Sequence, residues 1–203
     1  MGFIFFIKGI IIGFALAVPI GPIGILCIRK TITEGRLHGL LVGLGGATAD
    51  LLYSSIAAFG ITAISTVIDS YRFWIRLSGG TFLLFLGVFT YYARPRARKI
   101  MIRNKEMMKS FLFTMLLAFT NPLTIFAFIA VFAMLGIGHE IGYFYVSLLV
   151  FGVFTGSSLW FLLISSSANY YGVKFNSILL PRINKVTGIL IFLSGIVAIV
   201  SVL

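Results

Sequence analysis

Few residues in this chain have types and places suited to chemistry, and Asp50 is the foremost. It lies deep inside the apolar run from Gly39 to Ile68 and is the one acid in such a position. At the centre of a bilayer an ionised carboxylate costs about 2.5–3.5 kcal/mol on insertion scales, so it must face protein or water and find a partner. There it is a candidate to take up and release a proton, or to hold a substrate ammonium. A structural acid bonded to a neighbouring helix is the plainer alternative, but intramembrane acids are functional as a rule.

Next come the prolines. Pro19 and Pro22 bracket Gly21 within the first apolar run. Each lacks an N–H and disturbs the preceding helical turn, so the pair predicts a helix break near mid-membrane. Such breaks free carbonyls and N–H groups that can receive a zwitterion. A kink serving packing alone is the competing reading. Asn121 and Pro122 form a similar pair in the fourth run, where the Asn amide offers donors and acceptors. Gly46, four residues before Asp50, completes the candidate set. Close helix packing explains Gly39, Gly43, Gly45 and Gly46 alike without any ligand, and is the competing reading for Gly46. Thr155, Ser157 and Ser158 are weaker candidates, because hydroxyls often bond their own helix.

Other chemistries find little support. The two histidines, His38 and His139, fall at predicted helix ends, and nothing in the sequence joins either to a nucleophile. Cys27 is the single cysteine, so neither an intramolecular disulfide nor a multi-cysteine metal site exists. The sequence implies no enzyme, no cofactor and no resident metal.

The elements that must position these residues follow from composition. Of 203 residues, 60% are hydrophobic and 10% charged, where a soluble domain carries about a quarter charged. So little charge can coat the rims of a membrane bundle but not a soluble globule. The net charge of +11 sits in short clusters between apolar runs, a pattern of membrane orientation rather than of nucleic-acid binding. Six runs approach the length of about 20 residues that a crossing helix needs: 9–28, 39–68, 77–93, 110–138, 141–173 and 186–203. The expected fold is all-α, an integral membrane protein of six transmembrane helices. The first run is read as a retained helix and not a cleaved signal peptide, since its uncharged stretch continues to Ile28.

Basic residues divide 13 to 3 between the two sides of a six-helix chain. The positive-inside rule then makes the basic loops cytoplasmic and leaves both termini outside; a five-helix chain with one re-entrant run is the minority alternative. The segment 94–109, with seven Lys and Arg against Glu106, separates residues 1–93 from 110–203. The halves repeat weakly: a proline break in the first and fourth runs, Gly80 and Gly87 spaced as Gly188 and Gly195, and Gly46 before Asp50 as Gly152 before Gly156. Three helices per half predicts two inverted three-helix repeats, a transporter signature.

Pro19-Ile20-Gly21-Pro22, then Glu34-Gly35-Arg36 with Gly39, then Gly43-Leu44-Gly45-Gly46 running to Ala49-Asp50 together resemble the LysE/RhtB family of amino-acid exporters. The match spans about residues 10 to 65, and the Asn121-Pro122 break and overall length also look like that family. The resemblance implies proton-driven export of amino acids or derivatives across a bacterial inner membrane, with Gly21, Pro22, Asp50, Asn121 and Pro122 at its motif positions. It departs in the insertion within Pro-Gly-Pro and in Ala49 where Gly often precedes the Asp, which leaves the substrate open. Divalent metal export, known in related families, is the runner-up, and a non-transporting membrane assembly protein is a third reading. The expected partners are a small-molecule substrate and the bilayer, with no nucleic acid; a homo-oligomer is left open.

Overall fold

Inside lipid every backbone N–H and C=O must be satisfied within the protein, which makes long apolar runs helical. The computed structural model describes residues 2–19, 21–63, 72–92, 107–119, 122–134, 142–171 and 180–200. Among these, eight helices form: α1 (Gly2–Ala17), α2 (Pro22–Glu34), α3 (Arg36–Ala63), α4 (Arg72–Tyr92), α5 (Met107–Phe119), α6 (Pro122–Met134), α7 (Tyr143–Tyr171) and α8 (Leu180–Val200). The protein is an all-helical, multi-pass membrane protein. Three helices are long and apolar enough to cross a bilayer alone: Arg36–Gly60, Tyr143–Tyr171 and Pro181–Val200. The bent pairs α1–α2 and α5–α6 raise the number to five if each pair is one span, and Leu77–Tyr92 is apolar but shorter.

New helices begin at Pro22 and at Pro122, so the run is broken at both proline sites. The axis turns by 81° between α1 and α2 and by 63° between α5 and α6. Pro22 becomes the first residue of α2, where a missing N–H costs nothing because that position has no intrahelical acceptor. The first apolar run also extends further than its charges suggest. Lys8 lies within α1, and Arg29 and Lys30, read from the sequence as loop residues, belong to α2. Arg29 is exposed and Lys30 pairs with Glu34, so neither charge has to end the helix.

Only Gly35 separates α2 from α3. Its φ of 99° lies where side chains are rarely tolerated, and its N–H closes α2 on the Thr31 carbonyl at 3.1 Å. The two helices return antiparallel and so close that a Cβ on Gly39 would strike Thr31. α1 and α7 run parallel at backbone contact: Gly9 faces Gly152, Gly13 faces Val153, and Gly156 faces Ile10 and Phe14. α3 and α5 are also parallel, with Gly45 against Phe111 and Tyr53 against Ala118. α3 and α7 are antiparallel, from Gly43 on Phe161 to Phe59 on Tyr143. So are α4 and α8, where Gly80 meets Gly195 and Gly87 meets Gly188. The equally spaced glycines noted in the sequence are thus opposite each other in one crossing.

The core lies where these helices meet. Phe128 and Phe132 of α6 are buried with Tyr53, Leu149 and Val153, while Leu26, Val42 and Phe161 join α2, α3 and α7. Outward faces carry large apolar side chains, such as Phe85 and Phe89 on α4 and Leu190, Leu193 and Val197 on α8. Patches of that extent signify contact with lipid or protein.

Candidate functional site

Asp50 stands close to the middle of the long Arg36–Gly60 span. One turn before it, the missing Cβ of Gly46 leaves room for Ile23 of α2 and Phe161 of α7, 3.0 Å and 3.3 Å from where that Cβ would be. Because α2 and α3 are antiparallel, the next turn of α3 carries Asp50 to the level at which α2 begins, the break between α1 and α2. There the carboxyl meets Ser157, midway along α7, whose Oγ is 2.8 Å from Asp50 Oδ2. The same Oγ is 3.1 Å from the carbonyl oxygen of Gly13, in the last turns of α1. Asp50, Ser157 and Gly13 therefore tie α3, α7 and α1 together through one fully buried hydroxyl.

A serine hydroxyl has one proton to donate, and Ser157 has two acceptors. Both contacts are two-centre hydrogen bonds at once only when the Asp50 carboxyl carries a proton of its own and donates it to Ser157. With Asp50 ionised, the one hydroxyl proton goes to the carboxylate or the Gly13 carbonyl, or is divided between them in a weaker three-centre bond. A proton arriving at or leaving Asp50 thus changes what holds the end of α1.

The break itself is built from backbone. Val18 N–H returns to the Phe14 carbonyl, Gly21 N–H reaches the Pro19 carbonyl at 2.9 Å, and Ile25 N–H reaches the Gly21 carbonyl. Gly21 caps α2 in extended conformation without any side-chain cap, so the N–H groups of Ile23 and Gly24 lack an intrahelical acceptor. The positive end of α2 and the carbonyl end of α1 meet here. Open space adjoins Gly21 among the described residues, for a Cβ placed there would meet none of them within 4 Å. Pro19 is half-buried and Pro22 exposed. Pro122 begins α6, while Asn121 lies outside the described residues.

Tyr53, which sequence reasoning did not single out, lies one turn from Asp50 on α3. Its phenol donates to the Ala118 carbonyl at 3.3 Å, at the end of α5 and just before the second break, and its ring packs edge-on against Phe119. The available signal was its i+3 spacing from Asp50 in an apolar helix. Of the three hydroxyls weighed on α7, Thr155 bonds its own helix at Phe151, Ser157 reaches Asp50, and Ser158 Oγ is buried without a hydrogen-bond partner among the described residues. Among the described residues, no three His, Cys, Asp or Glu side chains converge as a metal site.

The model of the family described as "LysE type translocator" matches residues 14–202. The chain is 24% identical over 194 residues to "Putative amino acid efflux protein YcgF" of Bacillus subtilis (strain 168), covering 94% of this chain and 92% of that protein. It is also 24% identical over 110 residues to "Uncharacterized membrane protein YahN" of Escherichia coli (strain K12), covering 53% of this chain and 49% of that one. No solved structure matches the chain. A family model that covers nearly the whole chain, over helices broken and packed as described, establishes that this membrane protein belongs to the LysE type translocator family.

Proposed function

We propose that the protein exports amino acids or their derivatives across the bacterial cytoplasmic membrane, coupled to protons. The observation that carries this reading is the single acid at mid-span, Asp50, hydrogen-bonded to Ser157 beside a helix break. The broken helix offers donors from α2 and carbonyls from α1 to the two charges of a zwitterion. Asp50 binds the substrate ammonium or the coupling proton, and the exchange passes through Ser157 to the end of α1. The name of the Bacillus subtilis relative, "Putative amino acid efflux protein YcgF", supports the same substrate class.

Six crossings in two inverted repeats complete the proposal. The helix directions support it: α1 parallel to α7 and α3 to α5, α3 antiparallel to α7 and α4 to α8, as six alternating crossings require. A hydroxyl from each half also reaches a carbonyl near the other half's break, Tyr53 to Ala118 and Ser157 to Gly13.

The test is efflux of a panel of labelled amino acids from vesicles, with and without a pH gradient, for the wild type and Asp50→Asn. The wild type exports at least one amino acid faster with the gradient. Asp50→Asn keeps the shape, inserts normally, and loses gradient-driven export. A variant that exports at the wild-type rate reduces Asp50 to a structural acid.

A further inference from the structure

Away from Asp50, α2 buries a second charged group. Lys30 is only 4% exposed, although a lysine is almost never buried without a strong reason. Its Nζ pairs with Glu34 Oε1, and the other carboxylate oxygen, Glu34 Oε2, is buried with no hydrogen-bond partner among the described residues.

As a stabilising device this pair is poorly made. Within a helix the order Lys then Glu at i,i+4 is the weaker orientation. Glu34 is the last residue of α2, so its negative charge adds to the carbonyl end of the helix instead of offsetting it. Burial takes water from the Lys30 ammonium and from Glu34 Oε2, although the Glu34 side chain as a whole stays 24% exposed, and an ion pair so desolvated commonly adds little stability over apolar residues of the same size. Leaving one carboxylate oxygen unbonded adds a further cost. Two of these four penalties, the negative charge at the carbonyl end and the unbonded oxygen, are relieved by the same guest: a positive group lodged against Glu34 Oε2 and the final carbonyls of α2. Lys30, a few ångströms off, offers its ammonium to a negative group on that guest.

We propose that Lys30 and Glu34 form a binding station for zwitterionic α-amino acids at the basic end of the bundle, separate from Asp50. The substrate ammonium goes to Glu34 and its carboxylate to Lys30. Eight residues of helix separate Lys30 from Pro22, about 12 Å at 1.5 Å per residue, so the station lies further toward this end than the break. In the export reading on which this inference rests, that end is cytoplasmic and the station is where substrate enters.

The test uses purified protein carrying Asp50→Asn, which removes the deeper acid. Stabilisation against thermal unfolding is measured across a concentration series of each common amino acid and its methyl ester, which keeps the ammonium and lacks the carboxylate. Lys30→Met/Glu34→Gln is then added; it neutralises both partners at once, so neither charge is left buried alone. The expected result is saturable binding of at least one amino acid to the Asp50→Asn protein. Neutralising the pair weakens it about tenfold or more, as loss of one charge-assisted contact does, and the methyl ester binds more weakly than the free acid. Equal affinity with and without the pair, or no binding at all by the Asp50→Asn protein, overturns the station. An aminophospholipid headgroup carries the same two charges, so phosphatidylethanolamine is tested alongside; stabilisation by that lipid in place of amino acids also overturns it. Export is scored separately in vesicles: pair-dependent binding without export by the wild type leaves the station standing and removes the export reading.

Discussion

Ser157→Ala removes the one hydroxyl that both the Asp50 carboxyl and the Gly13 carbonyl reach. A buried acid stripped of its partner loses about 1–3 kcal/mol, so thermal unfolding in detergent drops measurably, and gradient-driven efflux falls at least tenfold. Ser157→Thr keeps the hydroxyl and retains more export than Ser157→Ala; the reverse order refutes the relay through this group. Tyr53→Phe is the contrasting case. Its bond to Ala118 is long at 3.3 Å, and the ring stays in place against Phe119, so the expected cost is below about 1 kcal/mol. Export close to the wild-type rate is predicted, and a collapse would promote Tyr53 to the site itself.

Among the elements, the α1–α2 break and the α1–α7 crossing make opposite demands on glycine. At the crossing, a Cβ on Gly156 would strike the Ile10 carbonyl and lie 2.8 Å from the Phe14 nitrogen. Backbone cannot move aside as a side chain does, so Gly156→Leu separates the helices. The prediction is loss of folded protein by size-exclusion chromatography, whatever the substrate. At the break, Gly21 has φ −89° and ψ −164°, extended backbone open to any residue, with free space where a side chain would point. Gly21→Ala therefore folds as the wild type does. Gly21→Leu also folds but fills the space beside the free N–H groups of α2, and export falls in proportion to the filling. Misfolding of Gly21→Ala would show that the space is not open.

At the scale of the whole molecule the topology is the measurable quantity. A basic count of 13 to 3 predicts that segment 94–109 is cytoplasmic and both termini are outside. Single cysteines placed in a Cys27→Ser background and labelled with a membrane-impermeant reagent decide this. Labelling near residue 100 from the outside, or protection of the C-terminus there, overturns the six-crossing arrangement. The count tolerates the correction at Lys30: removing that buried lysine from the basic side leaves the imbalance large.

What the sequence determined by itself is what depends on chain-local chemistry. Lipid solvation forces uninterrupted apolar runs into helices, so the all-helical membrane class follows from composition. Prolines remove donors wherever the chain folds, so the helix starts at Pro22 and Pro122 were legible too. Asp50 was visible because a lone acid in an apolar run needs a partner. Which partner it takes, Ser157, was decided only by the approach of α7, 107 residues away. The equal spacing of Gly80 and Gly87 with Gly188 and Gly195 suggested a repeat; that they meet face to face is a property of the antiparallel crossing. Lys30 shows the same limit most plainly. In the sequence it is one more basic residue beside Arg29, at the edge of an apolar run. Only the packing of α2 against its neighbours buries it beside the half-buried Glu34, because burial is a property of the surrounding helices and not of the residue that they enclose.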